Sequence, residues 1–216
     1  MPLLEKLVKR DMQTQELRRI YNKTASSFNR REWFMEFLVL RHYRKKLVSQ
    51  TKGKVLEIGI GTGRNLPYYP RGSEIIGVDL SEKMLEKARG FALKLGLSIT
   101  LLTMDAENLA FKDGAFDSVL CTLSLCAVSN PIQALYEMKR VCKSGGKILL
   151  LEHVRSHNFF IGKIQDWLTP FIVRKIGCHL NRDTLGNVKK AGLHIDYLES
   201  HLTDVIKIIH ATSSKH

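Results

Sequence analysis

From residue 54 onward, short runs of apolar residues alternate with longer stretches in which apolar positions recur every three or four residues. The short runs predict β-strands, and the longer stretches predict amphipathic helices that cover them. Strands that alternate with helices are typical of a parallel sheet covered on both faces. The predicted strands lie in the segments KVLEIGI, EIIGVDL, SITLLTMDA, FDSVLCTLSL and GGKILLLEHV.

Capping residues and helix breakers mark where the predicted helices begin and end. Ser81 opens a helix over 81–95, and Pro131 opens another that ends near KSGGK. The last predicted elements are a helix and two strands, over 182–191, 193–199 and 203–209. We therefore predict an α/β fold with a Rossmann-like, doubly wound, mostly parallel seven-stranded sheet.

Two regions depart from this alternation. Helical spacing over 3–22 and 32–48 predicts that residues 1–50 form an N-terminal helical cap or lid, which leaves 51–216 for the sheet domain. Within that domain, we expect an aromatic helical insert at about 157–180, with a proline near its middle.

The segment KVLEIGIGTG places Gly59, Gly61 and Gly63 directly after the first predicted strand. A glycine-rich turn between a strand and its helix lets a ligand approach the backbone closely, and the helix N-terminus favours partial negative charge there. The dinucleotide fingerprint requires a glycine where this chain has Arg64. The turn alone therefore predicts a nucleotide-like ligand without identifying it.

Acidic residues at the ends of the next two strands narrow the choice of ligand. Asp79 ends the second strand, where a carboxylate can accept hydrogen bonds from both ribose hydroxyls. Asp105 ends the third strand, where it can accept a hydrogen bond from an adenine amino group. Parallel strands present their carboxyl ends at one edge of a sheet, so we expect both side chains to meet the same ligand.

In this order, the segments VLEIGIGTG, GVDLS, MDAENLAF and FDSVLCTLSL resemble the first four motifs of the class I S-adenosylmethionine-dependent methyltransferases. EMKRVCKSGGKILLLEH resembles the family's segment leading into strand five, and the likeness extends over about 52–155. The ordered set is specific, whereas a glycine pattern alone is weak. The resemblance implies an enzyme that uses S-adenosylmethionine as methyl donor and releases S-adenosylhomocysteine.

The resemblance also implies roles around the methionine part of the cofactor. Gly59, Gly61 and Gly63 would approach it closely, and Thr122 would flank it. Glu57 would orient the glycine turn or meet the cofactor's amino group through water. A role for Glu57 as a brace of the turn alone is the alternative.

The nucleoside part of the cofactor would lie further along the same edge. Asp79 would hold the ribose, and Leu80 and Met84 would pack on the adenine. Asp105 and Ala106 would read the adenine edge. The alternatives are that Met84 is an ordinary core residue of its helix and that Asp105 only stabilises a turn.

A sulfonium methyl group is already activated, so the protein must mainly align a nucleophile with it. A thiolate or free amine needs little acid–base help, whereas a carbon or hydroxyl nucleophile needs a base. His153, just past strand five, could be that base or an ordinary structural histidine.

Tyr21 is the residue of the N-terminal cap that we expect to contact the active site. It lies in IYNKTASSFN, which resembles the cofactor-covering segment of quinone methyltransferases but ends in Phe28-Asn29 instead of their Tyr-Asp.

Later segments resemble a subgroup of methyltransferase type 11 enzymes. CTLSLC, EHV, GCHLNRDT and the insert around Trp167 are similar to quinone-biosynthesis methyltransferases, bacterial phospholipid N-methyltransferases and membrane-associated thiol methyltransferases. We expect the insert to cover the methyl donor, and Trp167 and Arg182 to contact the acceptor. Arg182 could hold a phosphate, or it could pair with Asp183 or cap a helix.

The net charge of +13 is concentrated near the N-terminus, because residues 1–54 hold 14 basic and 5 acidic residues, a net charge of +9. Basic residues lie beside aromatic ones in WFMEFLVLRHYRKK and again in FFIGKIQDWLTPFIVRK. Aromatic side chains settle at headgroup level, and cations are drawn to anionic lipid. We therefore expect peripheral contact with an anionic membrane, and the alternative is that these aromatic residues belong to the core.

A phospholipid headgroup amine is accordingly the first acceptor that we expect, with a quinone-ring carbon or a hydrophobic thiol as alternatives. An RNA methyltransferase is disfavoured because no RNA-binding module is recognisable, and a non-catalytic binding protein is disfavoured because the motif set is intact.

The four cysteines show no metal-ligand spacing, so we expect free thiols and no metal site. No signal peptide or membrane span is visible, so we expect a cytoplasmic protein that can be peripheral on the inner membrane face.

Overall fold

A computed structural model describes residues 2–213, with side chains over 11–30 and 36–212. Its centre is a seven-stranded sheet built from β1 (Lys54–Ile58), β2 (Glu74–Asp79), β3 (Thr100–Thr103), β4 (Phe116–Thr122), β5 (Cys142–His153), β6 (Leu193–His201) and β7 (Ile206–Ser213). The strand order is 3-2-1-4-5-7-6, and only β7 runs antiparallel, between β5 and β6. The predicted α/β class and the mostly parallel seven-stranded sheet are confirmed.

Strand β1 lies between β2 and β4, with Leu56 opposite Ile76 on one side and Val119 on the other. From β1, strands β2 and β3 are added toward one edge of the sheet, and β4 and the later strands are added toward the other edge. The carboxyl ends of these parallel strands form one edge of the sheet, which is where open α/β sheets bind their ligands.

Four helices connect the strands after β1, namely α3 (Glu82–Lys94), α4 (Pro131–Val141), α5 (Phe159–Ile176) and α6 (Thr184–Lys190). Ser81 caps α3 by accepting a hydrogen bond from the Met84 N–H at 3.2 Å. Asn130 caps α4 in the same way, and Pro131 occupies its first turn. The helices and final strands predicted from the sequence are therefore confirmed, with small shifts at their ends.

The N-terminal region is one long helix where two were predicted. Helix α1 spans Pro2–Met35, continues through a π-helical turn (Glu36–Leu40) and is followed by α2 (Arg41–Val48). The expected interruption is absent because the segment contains no glycine or proline after Pro2. The hydroxyls of Thr24 and Ser27 donate to carbonyls three residues earlier, so these side chains are accommodated on the helix.

Alternate residues of the central strands enter two apolar layers, one on each face of the sheet. Val55, Leu120 and Leu149 pack in the layer that contains α2 residues. Leu56 and Val119 pack in the layer that contains α4 and α6 residues. This period of two means that helices cover the sheet on both faces. The boundary that we propose near residue 50 falls in the connection between α2 and β1.

A buried arginine ties α2 to the sheet edge. Arg44 Nη1 donates to Thr122 Oγ1 at 2.8 Å and to Asn65 Oδ1 at 3.1 Å. Its Nε lies 3.0 Å from a carboxylate oxygen of Glu36, which also pairs with Arg64 at 2.8 Å. The expectation that Arg44 faces anionic lipid is wrong, because its guanidinium is buried and its charge is balanced within the protein.

Replacing Arg44 with methionine should therefore destabilise the fold. The variant Arg44→Met removes the donor to the buried Asn65 Oδ1 and one of two donors to Thr122 Oγ1, and we expect a loss of about 3 kcal/mol in the free energy of unfolding. Urea denaturation measures the loss. Arg41→Met, on the exposed side of the same helix, is the control and should change stability by less than about 0.5 kcal/mol. Equal effects of the two substitutions would contradict this account of α2.

Candidate functional site

A cavity of about 100 Å³ lies at the carboxyl ends of β1 to β4, with α1 forming part of its wall. Six residues predicted from the sequence line it: Tyr21, Gly59, Asp79, Leu80, Asp105 and Ala106. Residues that were not predicted complete much of the lining, and they are Thr14, Leu17, Met104, Leu123, Ser124 and Val128. The structure thus brings the ends of four strands and one face of the N-terminal helix to a single site.

The glycine turn needs its glycines for two physical reasons. Gly59, Gly61 and Gly63 all have positive φ, at +64°, +57° and +84°, a region that side chains disfavour. Space is also short, because a Cβ on Gly59 would lie 2.2 Å from Ser124 Oγ. A Cβ on Gly63 would lie 2.7 Å from the Leu66 side chain. Residues with a side chain would therefore strain the backbone of the turn at these positions.

Asp79 connects the glycine turn to the start of α3. Its carboxylate accepts hydrogen bonds from the Gly61 N–H at 2.9 Å and from the Ser81 N–H at 2.8 Å. Burial raises the pKa of Asp79, and these backbone donors partly oppose that effect. Each carboxylate oxygen keeps further acceptor capacity on the cavity side. Its predicted role with a ribose stays a prediction, and its role in shaping the turn is visible directly.

Glu57 and Thr122 lie behind the turn and do not line the cavity. Glu57 accepts a hydrogen bond from Asn65 Nδ2 at 2.7 Å and from the Tyr69 hydroxyl at 2.5 Å. Asn65 Nδ2 also donates to Thr122 Oγ1 at 2.9 Å. Burial raises the pKa of Glu57 to about 7. This geometry favours the bracing role for Glu57 over direct contact with a ligand.

Helix α1 is fixed over the site by polar contacts along its length. Arg18 Nε donates to the Leu80 carbonyl at 3.2 Å, and Asn22 Oδ1 accepts from Ser81 Oγ at 2.7 Å. Further along, Asn29 Oδ1 accepts from Thr62 Oγ1 in the glycine turn at 2.7 Å. Asn29 therefore contacts the turn directly, and Tyr21 lies in the cavity wall between these contacts.

Of the residues predicted to contact the adenine, Asp105 lines the cavity and Met84 does not. Met84 is only 2% exposed and does not line the cavity, which favours its alternative role as a core residue of α3. Asp105 does line the cavity, and its carboxylate also accepts the Glu107 N–H at 2.9 Å. Asp105 can therefore stabilise its turn and face a ligand at the same time.

The predicted acceptor residues lie outside the cavity lining. His153 Nε2 lies 3.1 Å from Cys178 Sγ. The hydrogen bond from the Cys126 thiol, with further contributions from His153, lowers the pKa of Cys178 to about 5.

The two residues predicted to contact the acceptor are Arg182 and Trp167. Arg182 Nη2 donates to the Val128 carbonyl at 2.6 Å and so braces the cavity wall. Trp167 lies exposed on α5. Their predicted roles toward an acceptor stay predictions.

Comparisons with known proteins identify a methyltransferase. A family profile described as a methyltransferase domain matches residues 56–150. A phosphatidylethanolamine N-methyltransferase of Cereibacter sphaeroides is 38% identical over 108 residues, which is 49% of this chain and 53% of the relative, so that match spans about half of each protein. A thiol S-methyltransferase of Mus musculus is 32% identical over 178 residues, covering 74% of this chain and 73% of the relative.

Among solved structures, a SAM-dependent methyltransferase from Thermotoga maritima is 25% identical, with a TM-score of 0.68. The similarity covers 92% of this chain and 100% of that one. The likeness therefore includes the N-terminal and C-terminal parts of the chain that lie outside the matched family domain.

Asp79→Asn should weaken the binding of S-adenosylhomocysteine. An asparagine keeps the size of the side chain but removes the charge and one acceptor, so the turn loses a charge-assisted hydrogen bond. We expect a 10- to 100-fold increase in Kd, measured by calorimetry. Glu82→Gln, exposed at the start of α3, is the control and should leave Kd unchanged. An unaltered Kd for Asp79→Asn would show that this carboxylate does not shape the binding site.

Glu57→Gln should flatten the dependence of stability on pH. Burial raises the pKa of Glu57 from an ordinary value of 4.5 to about 7 in the folded protein, so the folded state holds an extra proton between these values. Stability therefore falls as pH rises through this window, by up to about 3 kcal/mol from Glu57. Urea unfolding at several pH values should show a smaller fall for Glu57→Gln than for wild type or Glu82→Gln. Parallel curves would contradict a raised pKa at Glu57.

Proposed function

Since the chain belongs to the S-adenosylmethionine-dependent methyltransferases, we propose that it takes a lipid-like acceptor from a membrane surface and methylates it. Bound S-adenosylmethionine supplies an electrophilic methyl group. The residues suited to hold it are those of the glycine turn and the strand ends, above all Gly59, Asp79 and Asp105. The observation that carries the membrane part of the proposal is the outer face of α5.

The outer face of α5 is apolar. Phe160, Ile164, Trp167 and Phe171 recur at helical spacing and are 56% to 75% exposed. At 3.6 residues per turn they fall within an arc of about 60°. Phe159, at the start of the helix, is exposed as well. These side chains do not belong to the core, so that alternative for the α5 aromatics is wrong.

The buried residues of α5 are, in contrast, small or polar. Gly162, Gln165 and Thr169 are the buried residues of this helix. Gln165 Nε2 donates to the carbonyls of Val154 and Leu180, both at 2.9 Å. A helix of an ordinary globular protein buries its apolar stripe and exposes its polar one. Helix α5 instead exposes a stripe of large apolar side chains, which is what docking to an apolar partner surface requires.

Cations flank this apolar face, and an anionic lipid surface attracts them. Lys163 lies over the Phe159 ring at 5.7 Å from its centroid, and Arg174 and Lys175 are exposed in the last turn of α5. An aromatic face with a cationic rim suits the headgroup level of a bilayer. Within residues 2–213, no helix is long and apolar enough to cross a membrane.

The other aromatic and basic segment, WFMEFLVLRHYRKK near the N-terminus, supports membrane contact only in part. Phe37 and Leu38 are exposed on the π-helical turn. Tyr43 stacks on His201 at 4.3 Å between ring centroids, and Lys46 pairs with Glu199 at 2.5 Å. The side chains of Trp33 and Phe34 lie outside the described residues.

For the acceptor atom, we put a phospholipid headgroup amine first. A neutral amine needs little acid–base help, and the cationic rim of α5 suits a phospholipid surface. The 38% identity to a phosphatidylethanolamine N-methyltransferase supports this choice. A hydrophobic thiol is the second candidate, since the similarity to a thiol S-methyltransferase covers more of the chain. A quinone-ring carbon is the third, and it would require a base in the site.

One labelling experiment separates these acceptors. The protein is incubated with methyl-labelled S-adenosylmethionine and vesicles that contain phosphatidylethanolamine and phosphatidylglycerol, with a quinone or a long-chain thiol added in parallel samples. Label in the phospholipid supports the first candidate, and label in the thiol or quinone alone supports the corresponding alternative. Transfer only to an added RNA sample would contradict the proposal.

Membrane contact is tested by the outer face of α5. The double substitution Trp167→Ser/Phe171→Ser should weaken binding to vesicles rich in phosphatidylglycerol by at least about 10-fold, because two large apolar side chains no longer enter the interface. Co-sedimentation at low and high salt measures it. Leu93→Ser, exposed on α3, is the matched control and should bind as wild type. Absence of vesicle binding by the wild-type protein at low salt would reject the membrane proposal.

A further inference from the structure

Three side chains from distant parts of the chain converge behind the cavity wall. They are Cys126, in the turn after β4, His153, at the end of β5, and Cys178, just after α5. Their sulfur and nitrogen atoms all lie within 4.8 Å of one another. Cys126 is buried, and Cys178 is only 9% exposed. The membrane face described above does not use this cluster, and of its three members only His153 has a predicted catalytic role.

Hydrogen bonds to the surrounding backbone fix the position of Cys126. The buried carboxylate of Glu152 accepts the N–H groups of Ser124 and Leu125, at 3.0 and 3.1 Å, and so fixes the turn that carries Cys126. The Cys126 carbonyl accepts the His179 N–H at 3.0 Å, which brings the segment after α5 against the same turn. The cluster is therefore part of the fold and not a chance contact of mobile side chains.

We propose that Cys126, His153 and Cys178 bind a Zn²⁺ ion. Two thiolates and an imidazole are the donors that zinc prefers, with Zn–S distances of about 2.3 Å and Zn–N distances of about 2.0 Å. A tetrahedral ion with these bonds requires donor atoms ~3.5–3.8 Å apart. The observed separations reach this geometry with side-chain shifts of about 1 Å or less. Three protein ligands leave a fourth position for water or another small donor.

The ion would connect the cavity wall to the end of α5. Cys126 directly precedes Ala127 and Val128, which line the cavity. Cys178 directly follows Gly177, which ends α5 in the left-handed conformation. A bound ion would therefore hold α5 against the strand ends. This inference does not depend on the acceptor or on membrane binding, because it concerns metal occupancy alone.

Metal binding is tested on the full chain, purified with a phosphine reductant and stripped with a chelator. We expect one Zn²⁺ per chain after reconstitution, measured by elemental analysis. Co²⁺ in place of Zn²⁺ should give the thiolate-to-cobalt charge-transfer absorption of a two-cysteine site. Zn²⁺ should also raise the melting temperature of the wild-type protein. A wild-type protein that binds S-adenosylhomocysteine but retains neither metal overturns the proposal.

Variants locate the site. Cys126→Ser and Cys178→Ser should each abolish metal retention and the cobalt–thiolate band. Cys142→Ser, at a buried cysteine outside the cluster, should keep both. Binding of S-adenosylhomocysteine shows that each variant is folded. Retention of the ion by both cluster variants, or a Cys126–Cys178 disulfide that persists in the wild-type protein in the presence of the reductant, would overturn the assignment. The wild-type cobalt spectrum decides the question even if a cluster variant fails to fold.

Discussion

The buried Arg44 guanidinium is the interaction on which the arrangement of cap, turn and strand ends depends. Its donors reach Thr122 at the end of β4 and Asn65 beyond the glycine turn, while Glu36 balances its charge. A buried charge without partners costs several kcal/mol, so the native state requires all of these groups to be in place together. Through Asn65, the same network reaches Glu57 behind the turn. The N-terminal helices and the sheet edge therefore form one unit.

This coupling explains how a short turn can bind a ligand with its backbone. Backbone amides are useful donors only when their direction is fixed, and glycines at positive φ do not fix it by themselves. Asp79 constrains the turn from the cavity side through the Gly61 N–H, and Asn29 constrains it from α1 through Thr62. The Glu57 network supports it from behind. The turn is thus held in position before any ligand arrives, which lowers the entropic cost of binding.

The residues that could be predicted are those whose role follows from local order along the chain. The strand ends and the glycine turn carry Asp79 and Asp105 wherever the sheet forms, so periodicity and motif order suffice for them. Arg44 could not be predicted, because RHYRKK has the composition of a solvated helix face and only tertiary packing buries one of its cations. The Cys126, His153 and Cys178 cluster was missed for a related reason. Its members come from separate elements, so no spacing pattern marks them.

Helix α5 connects the outer surface to the cavity in a way that gives membrane contact a structural consequence. Buried Gln165 fixes its inner side, so its apolar outer face cannot turn inward without breaking buried hydrogen bonds. At its end, a Cβ on Gly177 would lie 2.5 Å from Leu17 and 3.8 Å from Tyr21, two residues of the cavity wall. A surface that holds α5 would therefore also restrain α1 over the cavity. The proposed membrane contact of α5 would in this way be coupled to the position of α1 over the cavity.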